Sequence, residues 1–250
     1  MAGIIADIVK SISAAALLLL ANTALAQVSP KPADAIVPVV GSARGQSNAI
    51  FRTELQLANP GDEPASGWLY LRPQQLILRY SLEAHETRAF EDVVAELGGS
   101  GLGSLDILVD EGDVPAIVAR AYDDQPHGTT GATIPALALD SILTRGAVGA
   151  LIAPRDLGGR YRFNIGVRAL AEGATLELVV FDEEGVQRHV RVLELTAHQF
   201  DQQPANSFIG IALQSNDSIR VRFVEGSAIV WASTVDNSTN DSSLQLLRRQ

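Results

Sequence analysis

The chain has 250 residues, 46% of them hydrophobic, a formal net charge of −10 at pH 7 and no cysteine. The negative charge disfavours nucleic acid and anionic lipid surfaces as partners. Without cysteine there is no disulfide framework, no thiol nucleophile and no thiolate zinc site, so the fold must rest on its apolar core.

Residues 12–21 are apolar but too short to span a bilayer comfortably. Lys10 precedes them, and Ala24 and Ala26 supply the small-x-small pattern that a signal peptidase accepts. The spacing predicts a signal peptide over residues 1–26 and export to the periplasm, the cell surface or the medium. Asp7 offsets Lys10, so an uncleaved anchor is the alternative. No later segment is long and apolar enough to span a membrane once the signal is cleaved. Residues 27–35, with two prolines, read as an extended leader.

Residues 36–40 are a short β-type run interrupted by Pro38, which suits an edge strand. Residues 50–58 alternate: Phe51, Thr53, Leu55 and Leu57 fall on one face, Arg52, Glu54 and Gln56 on the other. Asn59, Pro60, Gly61 and Asp62 predict a turn in which Gly61 takes a positive φ. Strands are expected at 68–72, 76–80 and 87–90. One or two helical turns follow over 90–97, where apolar residues recur at helical spacing before Gly98 and Gly99. Residues 104–109 and 114–122 read as strands around an acidic turn, 123–131 as a polar loop and 133–139 as a last extended run.

From residue 148 the same order recurs. Residues 148–153 answer the first strand, 161–167 answer 51–57, and 176–181 with 186–193 form a hairpin whose Gly185 sits where a left-handed residue is needed. Leu82, Ala84 and His85 are matched by Leu195, Ala197 and His198. Residues 204–211 stand where the short helix stood, and Glu225-Gly226 stands where Glu111-Gly112 stood. A matched order of elements is the mark of an internal duplication. Many short alternating strands with regularly spaced turns predict two β-sandwiches, 36–139 and 148–250. The short linker at 140–147 would hold them end to end with limited freedom.

Several stretches together carry a resemblance: Val37 to Val40, Phe51 to Pro60, Leu71 to Pro73, Thr87 to Val94, Gly103 to Ile107 and Ile134 to Ala136. The set resembles an immunoglobulin-like repeat of uncharacterised secreted and surface proteins of bacteria, often found in tandem. It spans nearly the whole mature chain, closely in the first unit and loosely in the second. There the Asn-Pro-Gly turn is replaced at residues 169–173. Ala84-His85 likewise departs from the Pro-Gly type of turn. The resemblance implies an all-β fold of two tandem immunoglobulin-like β-sandwich domains related by internal duplication, each with one short helical insertion. It implies an exported setting and brings no catalytic residues with it.

His85 and His198 are the most suggestive pair, but matched positions in tandem domains lie too far apart to share an ion, so a turn histidine bonded locally is the better reading. The acidic loops at 110–113, 123–124 and 182–184 lack the regular spacing of a calcium loop, and the first two lie at opposite ends of one strand. Ser100, between Gly99 and Gly101, follows a helix end and is not a nucleophile elbow. Arg supplies all but two of the 19 basic residues, which predicts Arg–carboxylate pairs across the outer sheet faces. Asn216, Asn237 and Asn240 fit the glycosylation triplet and read as polar loops.

Trp68 and Trp231 are the residues expected to contact a ligand or an interface, since an exposed tryptophan on a sheet can stack on a sugar or anchor a partner. Catalytic residues, metal and cofactor are expected to be none. The expectation is a non-enzymatic exported structural or adhesive protein, a spacer, adhesin part or assembly subunit, whose partner is a surface protein or glycan. A glycan- or peptide-binding module is the first alternative and a periplasmic pilus-type chaperone the second. The chain's acidity and its one mature lysine, Lys31, speak against the latter.

Overall fold

The computed structural model describes residues 31–45, 49–126 and 128–250. The expected signal at 1–26, the start of the leader and His127 lie outside the described residues. Ala33–Gln250 forms one compact unit. It is all-β, built of two open antiparallel sheets with two short helices.

The first half contains β1 (Ala35–Arg44), β2 (Ile50–Ala58), β3 (Ala65–Arg72), β4 (Leu76–Leu82), β5 (Thr87–Phe90), β6 (Gly101–Glu111), β7 (Ala116–Gln125), β8 (Gly128–Ile134) and β9 (Leu137–Ala138). One layer runs β4-β3-β6-β1 and the other β5-β2-β7-β8. β1 serves both: its body pairs with β6, while Ala43 and Arg44 pair with β2. Alternation puts Leu55, Leu57 and Phe90 of one layer against Leu69, Leu105 and Ile107 of the other. Each such fully buried side chain contributes roughly 1.5–3 kcal/mol.

Three expectations are corrected here. β1 is not a plain edge strand: β6 pairs along one side, β9 meets Ala35 and Ile36 and β2 meets Ala43 and Arg44. Its proline is tolerated because the register breaks between Val37 and Val40, where Pro38 owes the ladder no N–H. Residues 123–131 are not a loop: β7 runs on to Gln125 and pairs with β8 as a hairpin. Gly131 permits this, since a Cβ there would stand 2.2 Å from the Ala121 carbonyl oxygen. The turn after β2 does not use Gly61 in a positive φ. Buried Asn59 organises it, accepting from Gly61 N and donating to the carbonyls of Glu63 and Glu83.

The expected helix over 90–97 is a single turn, Val93–Glu96. Asp92 accepts from Ala95 N to cap it, and Val93 and Val94 are buried.

In the second half β10 (Leu143–Thr144), β11 (Val148–Ile152), β13 (Gln187–Leu195), β14 (Phe200–Pro204) and β16 (Ser242–Leu246) surround two long strands, β12 (Tyr161–Phe181) and β15 (Ser218–Asp236). Up to Ala169, β12 pairs with β14 and the last part of β15; from Ala174 it pairs with β13 and the first part of β15. Both long strands thus pass from one layer to the other. They bend at Gly173 (φ 76°) and Gly226 (φ 65°), and a Cβ on Gly226 would lie 2.0 Å from the Gly173 carbonyl oxygen. Only glycine permits backbones to cross that closely. Leu151, Ile165, Val167, Leu176, Val180 and Phe223 fill the space between the layers. The second helix, Ala205–Ile209, ends on Gly210 at φ 92°.

The stretch expected as a linker is structured. Leu139–Ser141 is a 3₁₀ turn, and β10 pairs with Ser227 and Ala228 of β15. One apolar core lies wholly between Ala147 and Leu247; the other gathers the first half and also takes in Ile142, Ile229 and Trp231.

Candidate functional site

Phe163, Ile165, Val167, Val230 and Ala232 belong to the second half's own core. The alternate residues of β12 and β15, Arg162, Asn164, Gly166 and Arg168 with Ile229, Trp231 and Ser233, therefore face the other way. That face meets the first half. Trp231 is fully buried there, its Nε1 donating to Gln202 Oε1 at 3.0 Å and its ring 5.8 Å from that of Phe200. Gly166, its partner across the ladder, makes room: a Cβ at Gly166 would sit 2.2 Å from the indole.

Beside Trp231 lies a buried ionic cluster drawn from both halves. Asp106 on β6 accepts from Arg72 Nε at 2.5 Å and from Arg168 Nη2 at 3.2 Å. Arg168, 1% exposed, also donates from Nε to Ser104 Oγ at 2.7 Å and from Nη1 to its neighbouring Ala169 carbonyl. Two guanidiniums thus share one carboxylate out of water. Burial pushes the Arg168 guanidinium below its usual range, Asp106 pulls it back up, and Arg72 adds to the lowering. His198 Nδ1 stands 3.4 Å from Arg168 Nη2, and burial first, then Arg72 and Arg168, hold its pKa below the ordinary value.

The matched histidines are in the same local turn in both halves. His85 and His198 take φ 62° and 60°, each at the third position of a turn closed by Glu86 N to Glu83 O or Gln199 N to Thr196 O. A positive φ at that position alone is a type II turn, the geometry that favours glycine. Their surroundings differ: His85 is exposed beside Asp62 at 3.2 Å, whereas His198 lies against the ionic cluster. Trp68 is half-buried on the outer face of β3. Its Nε1 donates to Asp110 Oδ2 at 2.7 Å, and the Arg79 guanidinium lies 5.7 Å from its ring. Trp68 and Trp231 are not brought together.

Where the two halves do not touch, they leave a cleft of about 330 Å³ above Trp231. Phe51, Leu102 and Ile134 line it from the first half, Arg162, Asn164 and Gln202 from the second. Arg44 and Arg52 also line it, and no Asp or Glu does among the described residues. Arg52 is paired with Asp124 at 3.0 Å. Arg162 is held by neutral acceptors, Nη2 to Asn240 Oδ1 at 2.9 Å and Nη1 to Asn237 Oδ1 at 3.4 Å. Burial lowers its pKa, against the pull of Asp123 and Asp236. Asn240 is itself anchored, its Nδ2 donating to buried Asp123 across the two halves at 3.1 Å.

Among the described residues no three His, Asp or Glu side chains converge to hold a metal ion, and no helix is long and apolar enough to cross a membrane. The sequence expectation of exposed Arg–carboxylate pairs describes Arg222 and Glu177, direct partners across β12 and β15. It missed Arg72, Asp106, Arg162 and Arg168. Each occupies an outward position of its strand, and alternation reads an outward arginine as solvated. Comparison with protein-family models, with curated proteins and with solved structures found no match.

Proposed function

We propose that the chain is two immunoglobulin-like sandwiches related by internal duplication, exported and non-catalytic, and working as a structural or adhesive surface protein: a spacer, adhesin part or assembly subunit. The pairing of strands supports the duplication. Phe51–Asp123 through Ala58–Ala116, the partners across β2 and β7, answer Tyr161–Asp236 through Arg168–Ile229 across β12 and β15. β5 on β2 answers β14 on β12, and the β3–β4 hairpin answers β12–β13. Each half carries its one-turn helix and its histidine turn at the same place.

The observation that carries the structural role is the sealed contact between halves. Trp231 and the Arg72–Asp106–Arg168 cluster tie the two halves into one body. Expressed with its own N-terminus in a bacterial host, the protein should be recovered outside the cytoplasm with its first 26 residues removed, as read by fractionation and mass spectrometry. Cytoplasmic retention of an intact N-terminus would sink the export reading.

A second reading, a glycan- or peptide-binding module, is favoured by the outer face of β3. Trp68 and Tyr70 stand side by side there, with Ile77 56% exposed on β4 opposite Tyr70. Trp68→Ala should abolish binding on a glycan array without altering the melting temperature.

A further inference from the structure

The cleft between the halves differs in charge from the rest of the molecule. The chain has 29 acidic residues and a net charge of −10, yet the described residues lining this cleft include three arginines and no carboxylate. Of the three, Arg52 is neutralised by Asp124, and Arg44 stands exposed at the rim. Arg162 is half-buried; the carbonyl oxygens of Asn237 and Asn240 hold two of its nitrogens, while Asp123, bonded to Asn240, and Asp236 act on it from outside the cleft lining. A guanidinium has five N–H donors in a planar fork, so donors remain for a ligand. Apolar lining comes from Phe51 and Leu102 of the first half and Leu244 of the second, and Leu102 is 40% exposed. A volume of about 330 Å³ is at the lower end of the range of roughly 300–1,000 Å³ typical of small-ligand sites.

We propose that this cleft is a carboxylate site: it takes an acid with a short apolar body, the carboxylate on Arg162 and the apolar part against Phe51, Leu102 and Leu244. A planar fork meeting a planar carboxylate can form two parallel charge-assisted hydrogen bonds, which a neutral amide cannot. The acid is either a small organic acid or the C-terminal residue of a peptide; the chemistry recognised is the same. This assignment stands apart from the export and surface reading, because it concerns purified protein in solution.

The test is titration calorimetry of the purified chain with two matched pairs: octanoate against octanamide, and a short leucine-ending peptide with a free C-terminus against its C-terminal amide. The acids should bind roughly tenfold to a hundredfold more tightly than their amides. The tighter of the two acids identifies the source. Arg162→Gln should erase the preference, and Arg162→Lys should restore part of it. Leu102→Trp, in the first half and partly exposed, should fill the cleft and weaken both acids while leaving Arg162 in place. That variant carries the test if Arg162→Gln does not fold. Equal binding of acid and amide would overturn the proposal. So would failure of both acids to bind at millimolar concentration, or a preference that survives Arg162→Gln. None of those results touches the export reading, which is judged on localisation.

Discussion

Removing the wrong member of the ionic cluster between the halves should be far more damaging than removing another. Among the described residues Asp106 is the single carboxylate bonded to Arg72, at 2.5 Å, and to Arg168, at 3.2 Å, and all three are nearly out of water. Asp106→Ala leaves two buried guanidiniums with no countercharge, a change that costs about 3–5 kcal/mol when one partner of a buried pair is lost. Arg168→Met keeps the Arg72–Asp106 pair intact. It loses the weaker contact to Asp106, at 3.2 Å, together with the donors to Ser104 Oγ and the Ala169 carbonyl, and leaving such buried acceptors unmet costs about 1–3 kcal/mol. Replacing all three with apolar residues of similar volume should return stability to within ~1 kcal/mol of the parent or above it. Urea unfolding at about pH 7, in low and high salt, measures each cost. High salt shortens the screening length from about 8 Å near 0.15 M to about 3 Å at 1 M, yet it should leave these costs unchanged because the charges are not solvated. If Arg168→Met cost as much as Asp106→Ala, or if high salt halved the Asp106→Ala penalty, the picture of one carboxylate balancing two buried cations would be wrong.

His198 makes stability depend on pH. Its folded-state pKa lies below the ordinary value of about 6.5, so the unfolded chain binds the proton more readily. Stability from this group is fully present above that value and is lost as pH falls below it, down to the depressed folded-state pKa. Melting temperatures followed downward from neutral pH should drop for the parent and less for His198→Gln; parallel curves would refute the burial argument. Gly226→Ala and Gly185→Ala both place a side chain at positive φ, at 65° and 82°, but only Gly226 meets backbone within contact distance. Gly185→Ala should cost about 1–2 kcal/mol of backbone strain, and Gly226→Ala clearly more, in the same denaturation assay. Equal costs would mean that the crossing of β12 and β15 relaxes freely.

Alternation and turn chemistry reveal most of the fold. The inward set of β2, the span of β5, the left-handed Gly185 and the first short helix follow from local pattern, because each depends on a neighbour a few residues away; the second helix is legible only from its matched place. The exceptions are non-local. β1 reads as an edge strand because of Pro38, yet β9 pairs with it at Ala35 and Ile36 and β2 at Ala43 and Arg44, and nothing near Pro38 announces that. Residues 123–131 read as a loop because Asp123, Asp124 and Gln125 are polar, yet Asp123 is buried. Its carboxylate accepts from nearby Gln125, and also from Ile50 N, far from it in sequence, and from Asn240 in the other half. A polar residue's burial is decided by what satisfies it, and that partner is invisible to a periodicity argument.

The candidate site escaped for the same reason, although the proposed duplication holds a signal that could have exposed it. Across β2 and β7, Gln56 faces Val118, and Val118 is 53% exposed; at the matched place across β12 and β15, Gly166 faces a fully buried Trp231. One step along, Ala58 opposite Ala116 becomes Arg168 opposite Ile229, and Thr87 beside Ala58 becomes Phe200 beside Arg168. Inward Leu55, Leu57 and Ala119 keep apolar counterparts in Ile165, Val167 and Ala232, so the inner packing asked for none of these changes. All fall on the outward face of the second half, where a small residue, a large aromatic and a buried cation replace solvated side chains together. Such a set makes sense only if that face is covered, and the first half covers it. Arg162 and Asn164 stand on the same outward face where cover is incomplete, so the cleft and the sealed contact are two parts of one surface. Under the proposed duplication, the interface is marked by where the two halves disagree, and buried Trp231 against exposed Val118 is such a place.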